Sequence, residues 1–407
     1  MLNILYLVHR LPYPPNKGDK VRSFNILKYL SDRHNVYLGT FVDDSADEKY
    51  ISTVKSYCKF SYFKIINKKY SRLRSLLGFF TGKALSLEYY NYLDFHSWVS
   101  STIKNNKIDA VVIFSSVMAQ YLDDDIHSRM VIDFVDVDSQ KWSEYAQNFP
   151  FPFSLIYKRE GKYLLSYESY LASQARHSFF VTEKERNLFS QCAPESFLKT
   201  SALNNGVDSD FFTPNLNILN PFQPVTEDLI TLVFTGAMDY WPNIDAVVWF
   251  VNDVLSVLVK KHPSIRFYIV GRSPSKTVLN LVSKTVFVTG TVDDVRPYLQ
   301  HATAVVAPLR IARGIQNKIL EAMSMAKPVV ASAECVKALN AVKGNEIISA
   351  VTAEDFIDGI EFIVNNIKEA KLMGCVARER VIESYSWTSH LKGMDKYLKN
   401  DLTENII

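Results

Sequence analysis

Cysteine is scarce in this chain. Its four residues, Cys58, Cys192, Cys335 and Cys375, stand far apart. They form no C-x-x-C pair, no zinc spacing and no disulfide framework, which points to a reducing, cytoplasmic setting. The eight histidines show no paired ligand spacing, so they announce no metal site. No run of about 18 apolar residues stands out, and no transmembrane helix is expected. The N-terminus MLNILYLVHRLPYP lacks the charged start and long apolar core of a signal peptide and reads as a first buried strand. No G-x-G-x-x-G follows that strand, which argues against a dinucleotide-dependent dehydrogenase. Acidic residues are missing altogether between Glu48 and Glu88, a window holding nine lysines and arginines from Lys49 to Lys83. The formal charge of the whole chain is only +3, so the remainder is net acidic. A basic patch on an otherwise acidic protein fits an anionic partner.

What is present is a long α/β alternation. A chain of 407 residues exceeds one core and implies two domains. NILYLVH, NVYLGTFV, IDAVVIFSS and RMVIDFVDV read as strands, with helical patterns between them. IDAVVIFSS is nearly all apolar at its centre, as expected for a sheet covered on both faces. A long helix is expected over about 155–176, then the short strand HSFFVT. The second half repeats the pattern, with LITLVFTGAM, IRFYIVG, TVFVTGTV and AVVAPL as strands. Strands alternating with helices imply parallel sheets. The expected boundaries are a first domain over 1–212, a proline-rich linker over 213–228, a second domain over 229–385 and a terminal helix in 386–407.

The densest stretch is 304–332, AVVAPLRIARGIQNKILEAMSMAKPVVAS. It reads as a buried strand, a loop with Gly314, a helix start carrying Lys318, then Glu321 and a second strand. Glycine lets backbone approach a ligand closely. The N-terminus of a helix offers unpaired N–H groups to a phosphate, and Lys318 adds a full charge. Glu321, one turn on, can accept hydrogen bonds from a ribose diol. Phosphate and ribose together mean a nucleotide. The other reading is an ordinary strand–helix–strand unit with Lys318 and Glu321 as surface charges.

GIQNKILEAMSMAKPVVAS resembles the signature segment of the family-four retaining glycosyltransferases. Gly314, Glu321, Ala322, Met323, Pro328, Val329 and Val330 fall at the matching places. NNGVDSDFFTP, FTGAMDYWPNIDAVVWF and SYSWTSHLKGMDKYL resemble further family segments in the right order. VHRLPYPPNKGDKVRSFNILKYL and DFVDVDSQKW narrow the likeness to a bacterial subgroup of sugar transferases associated with exopolysaccharide and exosortase-type systems. The resemblance implies a GT-B fold, two Rossmann-like domains facing each other across a cleft, the C-terminal one holding the nucleotide sugar. It also implies a C-terminal helix that crosses back to the first domain. The sequence departs from the pattern at Arg313, where the family has a glutamate that contacts the sugar ring, and at Gln316 and Lys327.

On this reading the donor-binding residues are Gly18, Gly236, Thr291, Val292, Arg310, Arg313, Gly314, Ile315, Lys318 and Glu321. Gly18 in the loop after the first strand, and Gly236 after the strand that opens the second domain, sit where backbone can approach phosphates. Thr291 and Val292 would hold the base through their backbone, by resemblance alone. The family's Arg and Lys shortly after this glycine are absent, so Arg310, Arg313 and Lys318 are expected to take over their charge. Asp133, Asp136 and Asp138 are expected at the exposed end of their strand, because unpaired buried carboxylates are costly. Asp136 and Asp138 are the favoured catalytic pair, accepting the proton of the incoming hydroxyl or orienting the sugar; capping of the next helix by Asp138 or Ser139 is the alternative. The carboxylate pairs Asp43–Asp44 and Asp123–Asp125 superficially fit a metal-binding pattern, but Asp123–Asp125 precedes a strand and reads as a solvated loop. No metal and no cofactor beyond the nucleotide diphosphate sugar is expected.

The function expected is therefore a hexosyltransferase-like retaining glycosyltransferase of bacterial polysaccharide synthesis. It would move a sugar from a nucleotide diphosphate to a glycan or lipid-linked acceptor. A sugar-nucleotide epimerase of the same fold and a non-catalytic nucleotide-sugar-binding protein are the alternatives. The segment KKYSRLRSLLGFFTGK mixes five cations with Leu73, Leu76, Leu77, Phe79 and Phe80, so Lys49–Lys83 is expected to meet an anionic membrane surface peripherally. No nucleic-acid partner is expected.

Overall fold

The computed structural model describes residues 1–15, 18–222, 228–311 and 315–399. The chain forms two compact units, 1–205 with 390–407 and 206–389. Each is built on one parallel sheet. The first holds β1 (Asn3–Val8), β2 (Asn35–Val42), β3 (Phe60–Ile65), β4 (Ala110–Phe114), β5 (Met130–Val135), β6 (His177–Phe180) and β7 (Thr200–Ala202), in the order β3-β2-β1-β4-β5-β6-β7. The second holds β8 (Ile230–Thr235), β9 (Ile265–Val270), β10 (Val286–Gly290), β11 (Ala304–Ala307), β12 (Val329–Ser332) and β13 (Ile348–Ala350), in the order β10-β9-β8-β11-β12-β13. Neighbouring strands pair in parallel throughout. Both orders reverse direction beside their first strand, and ligands of open parallel sheets bind outside the carboxyl ends at such a reversal.

The apolar runs explain the central strands. β1 and β4 are buried almost from end to end, because helices cover both faces of the sheet. β3, FSYFKI, is only half-buried and lies at the sheet edge. It falls in the basic window, where no apolar run marks a strand. The unit boundary falls at Asn205–Gly206, ahead of the proline-rich segment. Val207 donates its N–H to Tyr385 O, and Phe222 is buried in the core of the second unit with Phe212 and Ile218 against it. Those side chains make the described part of 213–222 a strap on the second unit. The Trp387–Leu398 helix has its residues from His390 onward in the first unit. There Tyr29 donates to Asp395 at 2.7 Å and Arg176 donates to Tyr397 O at 2.9 Å.

Two expectations need correction. One helical stretch, Trp241–Lys261, is long and apolar enough to cross a membrane by length and composition. It buries Ala246, Val247, Phe250, Val254 and Leu258 in the core of the second unit, as the core helix of a domain does. Asp133 is not at the exposed end of its strand. It is fully buried and receives two bonds from the equally buried Arg22, at 2.7 and 3.0 Å. Arg22 completes its own set on Leu203 O and Asn205 Oδ1. A fork-to-fork pair with further partners on the guanidinium is the form in which a buried charge is tolerated.

Candidate functional site

The second unit holds a cavity of about 640 Å³ at the carboxyl ends of its strands. Thr235 ends β8 and Gly236 follows it, Gly271 and Arg272 follow β9, and Thr291 and Val292 follow β10. Ile315, Lys318 and Glu321 enter from the loop and helix after β11. Gly236, Thr291, Val292, Ile315, Lys318 and Glu321, named separately from the sequence, thus line one space. Arg313 and Gly314 lie outside the described residues.

Backbone packing shapes the floor. Gly236 has φ +156°, and a Cβ there would lie 2.8 Å from Asn243 Nδ2 and 3.0 Å from Lys318 Nζ. Gly271 has φ +153°, and its Cβ would lie 1.7 Å from Gly236 O. Neither position has room for a side chain, so the strand ends close tightly under the cavity.

Lys318 sits in the first turn of the Asn317–Ser324 helix, whose start has no side-chain cap among the described residues. Its ammonium donates to Asn243 Oδ1 at 2.5 Å and lies 4.1 Å from the Phe234 ring centroid. Asn243 is held in turn by donating to Ala237 O at 2.8 Å. Burial lowers the Lys318 pKa to about 8, against the pull of Glu321. Burial raises Glu321 to about 7, against the pull of Lys318. Two opposite charges are therefore held partly desolvated with few protein partners, where added hydrogen bonds count most. Thr235 Oγ1, also on the cavity wall, is buried without a hydrogen-bond partner among the described residues. Such an atom asks for a ligand or a water.

Arg310 is placed elsewhere. Its guanidinium grips Asp245 at 2.5 and 3.0 Å, and it does not figure among the described residues lining the cavity. The expected role of Arg310 as a substitute phosphate cation is corrected accordingly. Among the described residues, the arginine on the wall is Arg272, which is exposed. The sequence signal was the Gly-Arg directly after the strand IRFYIV.

The first unit has its own cavity of about 380 Å³ at the ends of β1, β4 and β5. Gly18, Asp136 and Asp138 line it, and Gly18 begins the Gly18–Ser31 helix. Asp136 and Asp138 share Lys141 at 2.8 and 3.1 Å. The two carboxylates hold Lys141 above its usual pKa against the opposing effect of burial. Neither aspartate caps the next helix. Val137 is the cap residue, and Ser139 donates to Glu168 at 2.6 Å. Ser115 at φ +74° and Val135 at φ +69° line the same space. Left-handed backbone at a β-branched residue costs about 1–3 kcal/mol and gathers at functional sites.

His9, at the end of β1, was not singled out by sequence reasoning, because a lone histidine after a strand carries no pattern. Its ring stacks on Phe114 with centroids 5.8 Å apart, and Nδ1 is buried without a partner among the described residues. Burial first, and then Arg10, lower its pKa. A neutral imidazole with an open nitrogen can accept a hydrogen bond from a hydroxyl. Asp43 is engaged by Arg10 at 3.2 Å and by Lys68 at 3.4 Å. No cluster of three or more His, Cys, Asp or Glu suited to a metal occurs among the described residues.

Residues 230–366 match the protein family described as Glycosyl transferases group 1. No curated protein sequence matches the chain significantly. Among solved structures, the chain is similar to a glycosyltransferase from Rickettsia africae, with 16% identity, a TM-score of 0.61, and coverage of 98% of this chain and 99% of that one. It is similar to HepE of Anabaena in complex with UDP, at 15% identity and TM-score 0.61, with coverage of 98% and 99%. HepE in complex with UDP-glucose gives 15% identity and TM-score 0.58, with coverage of 98% and 99%. Two parallel-sheet units, matched over nearly their whole length, make this a GT-B fold whose residues 230–366 match the group 1 glycosyl transferases.

Proposed function

We infer that the chain is a retaining glycosyltransferase. It would transfer a sugar from a nucleoside diphosphate to a hydroxyl of a glycan or lipid-linked acceptor in bacterial polysaccharide synthesis, in the cytoplasm. The observation that carries the reading is the cavity of the second unit, where Lys318, Arg272 and a helix start without a side-chain cap among the described residues converge with Glu321. As the anomeric C–O bond breaks, negative charge grows on the leaving diphosphate. A fixed ammonium and aligned N–H groups stabilise that charge more than they stabilise the bound sugar nucleotide. Glu321 is suited to a ribose diol and Thr291–Val292 to the base. HepE binds UDP, so UDP is the first nucleotide to try.

Calorimetric titration with UDP, GDP and ADP tests the site. Binding of none of them would sink the reading. Donor incubated alone, with product analysis by mass spectrometry, separates transfer from epimerisation. Donor turnover is expected to persist in excess EDTA, because cations and helix N–H groups supply the charge. Loss of turnover on chelation, restored by manganese or magnesium, would place the donor's diphosphate on a metal.

Peripheral membrane binding is part of the same proposal. The basic window does not act as a block, however. Lys64 pairs with Asp94 and Lys68 with Asp43. Arg74 donates to Glu88 O and Tyr89 O and lies 3.7 Å from the Tyr92 ring centroid, so it braces the fold. Lys69 and Arg72 are exposed, beside Leu73, Leu76, Leu77 and Phe80, which are 47–89% exposed. Each such charge contributes about 1 kcal/mol near an anionic surface at low salt. Sedimentation with vesicles containing phosphatidylserine should carry the protein down, less so in high salt and less in Lys69→Ser/Arg72→Ser. A wild-type protein left in the supernatant at low salt would refute it.

A further inference from the structure

In the polar cavity of the first unit, His9 is held in place but left unsatisfied. Its ring lies parallel to Phe114 at 5.8 Å between centroids and meets Tyr90 edge-on at 6.0 Å. Nδ1 is shut in without a partner among the described residues, whereas Nε2 is not closed off. Nε2 stands 4.0 Å from Asp19 Oδ2, beyond hydrogen-bond reach. Arg10 holds that same carboxylate oxygen at 2.7 Å and Asp43 at 3.2 Å, so Asp19 is anchored short of the imidazole. An oxygen about 2.8 Å from each end would close the gap. A hydroxyl serves either tautomer there: it accepts from Nε2–H while donating to Asp19, or it donates to a bare Nε2.

The rest of the wall shows what kind of molecule carries that hydroxyl. Asp19, Asp136 and Asp138 face the cavity, and Lys141, shared by the last two at 2.8 and 3.1 Å, is the lysine among the described residues that line it. Burial first, and then Arg10, hold the imidazole toward its neutral form against the pull of Asp19, Asp138 and Asp43. Asn205 gives its Oδ1 to Arg22 at 2.9 Å, which leaves its Nδ2 as a donor. A phosphate would meet three carboxylates against one ammonium that two of them already hold. An uncharged sugar suits the same wall, because its hydroxyls donate to carboxylates and accept from Asn205. A cavity of about 380 Å³ is of the size that takes a small ligand. Its floor is fixed from below. Ser115 at φ +74° donates its N–H to Asp133 O at 3.0 Å, and Val135 at φ +69° donates its N–H to Asp133 Oδ1 at 3.2 Å. Strained backbone persists where its surroundings over-determine it, and here the buried Asp133 does so.

We propose that this cavity binds an uncharged sugar at the accepting end of the acceptor, with one of its hydroxyls set between His9 Nε2 and Asp19. The assignment rests on the glycosyltransferase reading and narrows its acceptor to one ending in a neutral sugar rather than in a phosphate. The probes are the methyl α-glycosides of glucose, mannose and galactose, with glucose 6-phosphate as the charged comparison, titrated into the full chain and followed by saturation-transfer NMR. At least one glycoside should bind wild-type protein, and glucose 6-phosphate should bind more weakly. His9→Phe keeps the ring on Phe114 and removes both nitrogens; it should weaken the glycoside about tenfold, the loss of one hydrogen bond in a shielded place. His9→Gln loses the ring but keeps a polar group near Nε2, so it should retain most of the binding. A purely packing role for His9 predicts the opposite order, with Phe tolerated and Gln damaging. Asp19→Asn should weaken the glycoside severalfold, and UDP affinity should stay unchanged in all three variants. The proposal is overturned if no glycoside binds, if glucose 6-phosphate binds better than every glycoside, or if His9→Phe binds as the wild type does. Should His9→Phe fail to fold, undiminished binding by Asp19→Asn overturns it instead. UDP binding reports separately. If UDP binds and no glycoside does, the sugar cavity falls and the donor site stands. If a glycoside binds through His9 and UDP does not bind, the sugar cavity stands without the transferase reading.

Discussion

In Lys318→Ala, the Kd for UDP is expected to rise roughly 10- to 100-fold. Loss of one charge-assisted hydrogen bond contributes about 1.5–3 kcal/mol, and each 1.4 kcal/mol is tenfold in Kd. The position favours the upper end, because the ammonium is largely shielded from water and has Asn243 as its hydrogen-bond partner. The pH profile supplies a second signature. With Lys318 at about 8 and Glu321 at about 7, UDP affinity should peak between those values. Above the Lys318 value the ammonium deprotonates and its attraction for the diphosphate fades. Below the Glu321 value the carboxylate protonates and loses acceptor capacity for the ribose diol. Lys318→Ala should erase the alkaline limb and keep the acidic one. Calorimetric titration from pH 6 to 9 reads both. A folded Lys318→Ala protein with wild-type affinity would remove the phosphate assignment.

Gly271→Ala should be the most damaging single change in the second unit. The added methyl carbon would stand 1.7 Å from Gly236 O, at a φ of +153° that a side chain rarely tolerates. The neighbour is backbone, so no rotamer change relieves the overlap. Overpacking costs about 1–3 kcal/mol and a strained backbone about 1–3 kcal/mol. Together these correspond to a melting midpoint lower by roughly 10 °C for a domain of this size. The damage should reach the ligand site as well. Gly236 N donates to Val270 O and Gly271 N to Gly290 O, so the ends of β8, β9 and β10 shift together. Differential scanning calorimetry with and without UDP should show a lower midpoint and a smaller ligand-induced rise. A variant that melts with the wild type would mean the strand ends are less tightly closed than they look.

The parallel-sheet halves were legible because strand and helix periods are local. AVVIF and LVFT are apolar without alternation, and only a strand covered on both faces needs that. Lys318 and Glu321, three residues apart on one helix, share a face by geometry alone, so their joint presence at one cavity followed from spacing. β3 was missed because an edge strand needs no apolar run.

The choice among charges was of another kind. Arg310 stood out in the sequence and Arg272 did not, yet Asp245, 65 residues from Arg310, takes Arg310 out of play. Asp133 looked like a partner of Asp136 and Asp138 until Arg22, 111 residues away, was found against it. His9 left no sequence pattern, since its neighbours come from several separate elements. By itself the sequence determined the periodicity, the strand-end glycines and the helix that carries Lys318, because each depends on residues within a few positions. Only the tertiary structure decided which ionisable groups are neutralised and which are left facing a cavity. Coulomb attraction and desolvation act through space, between side chains that the chain order does not bring together.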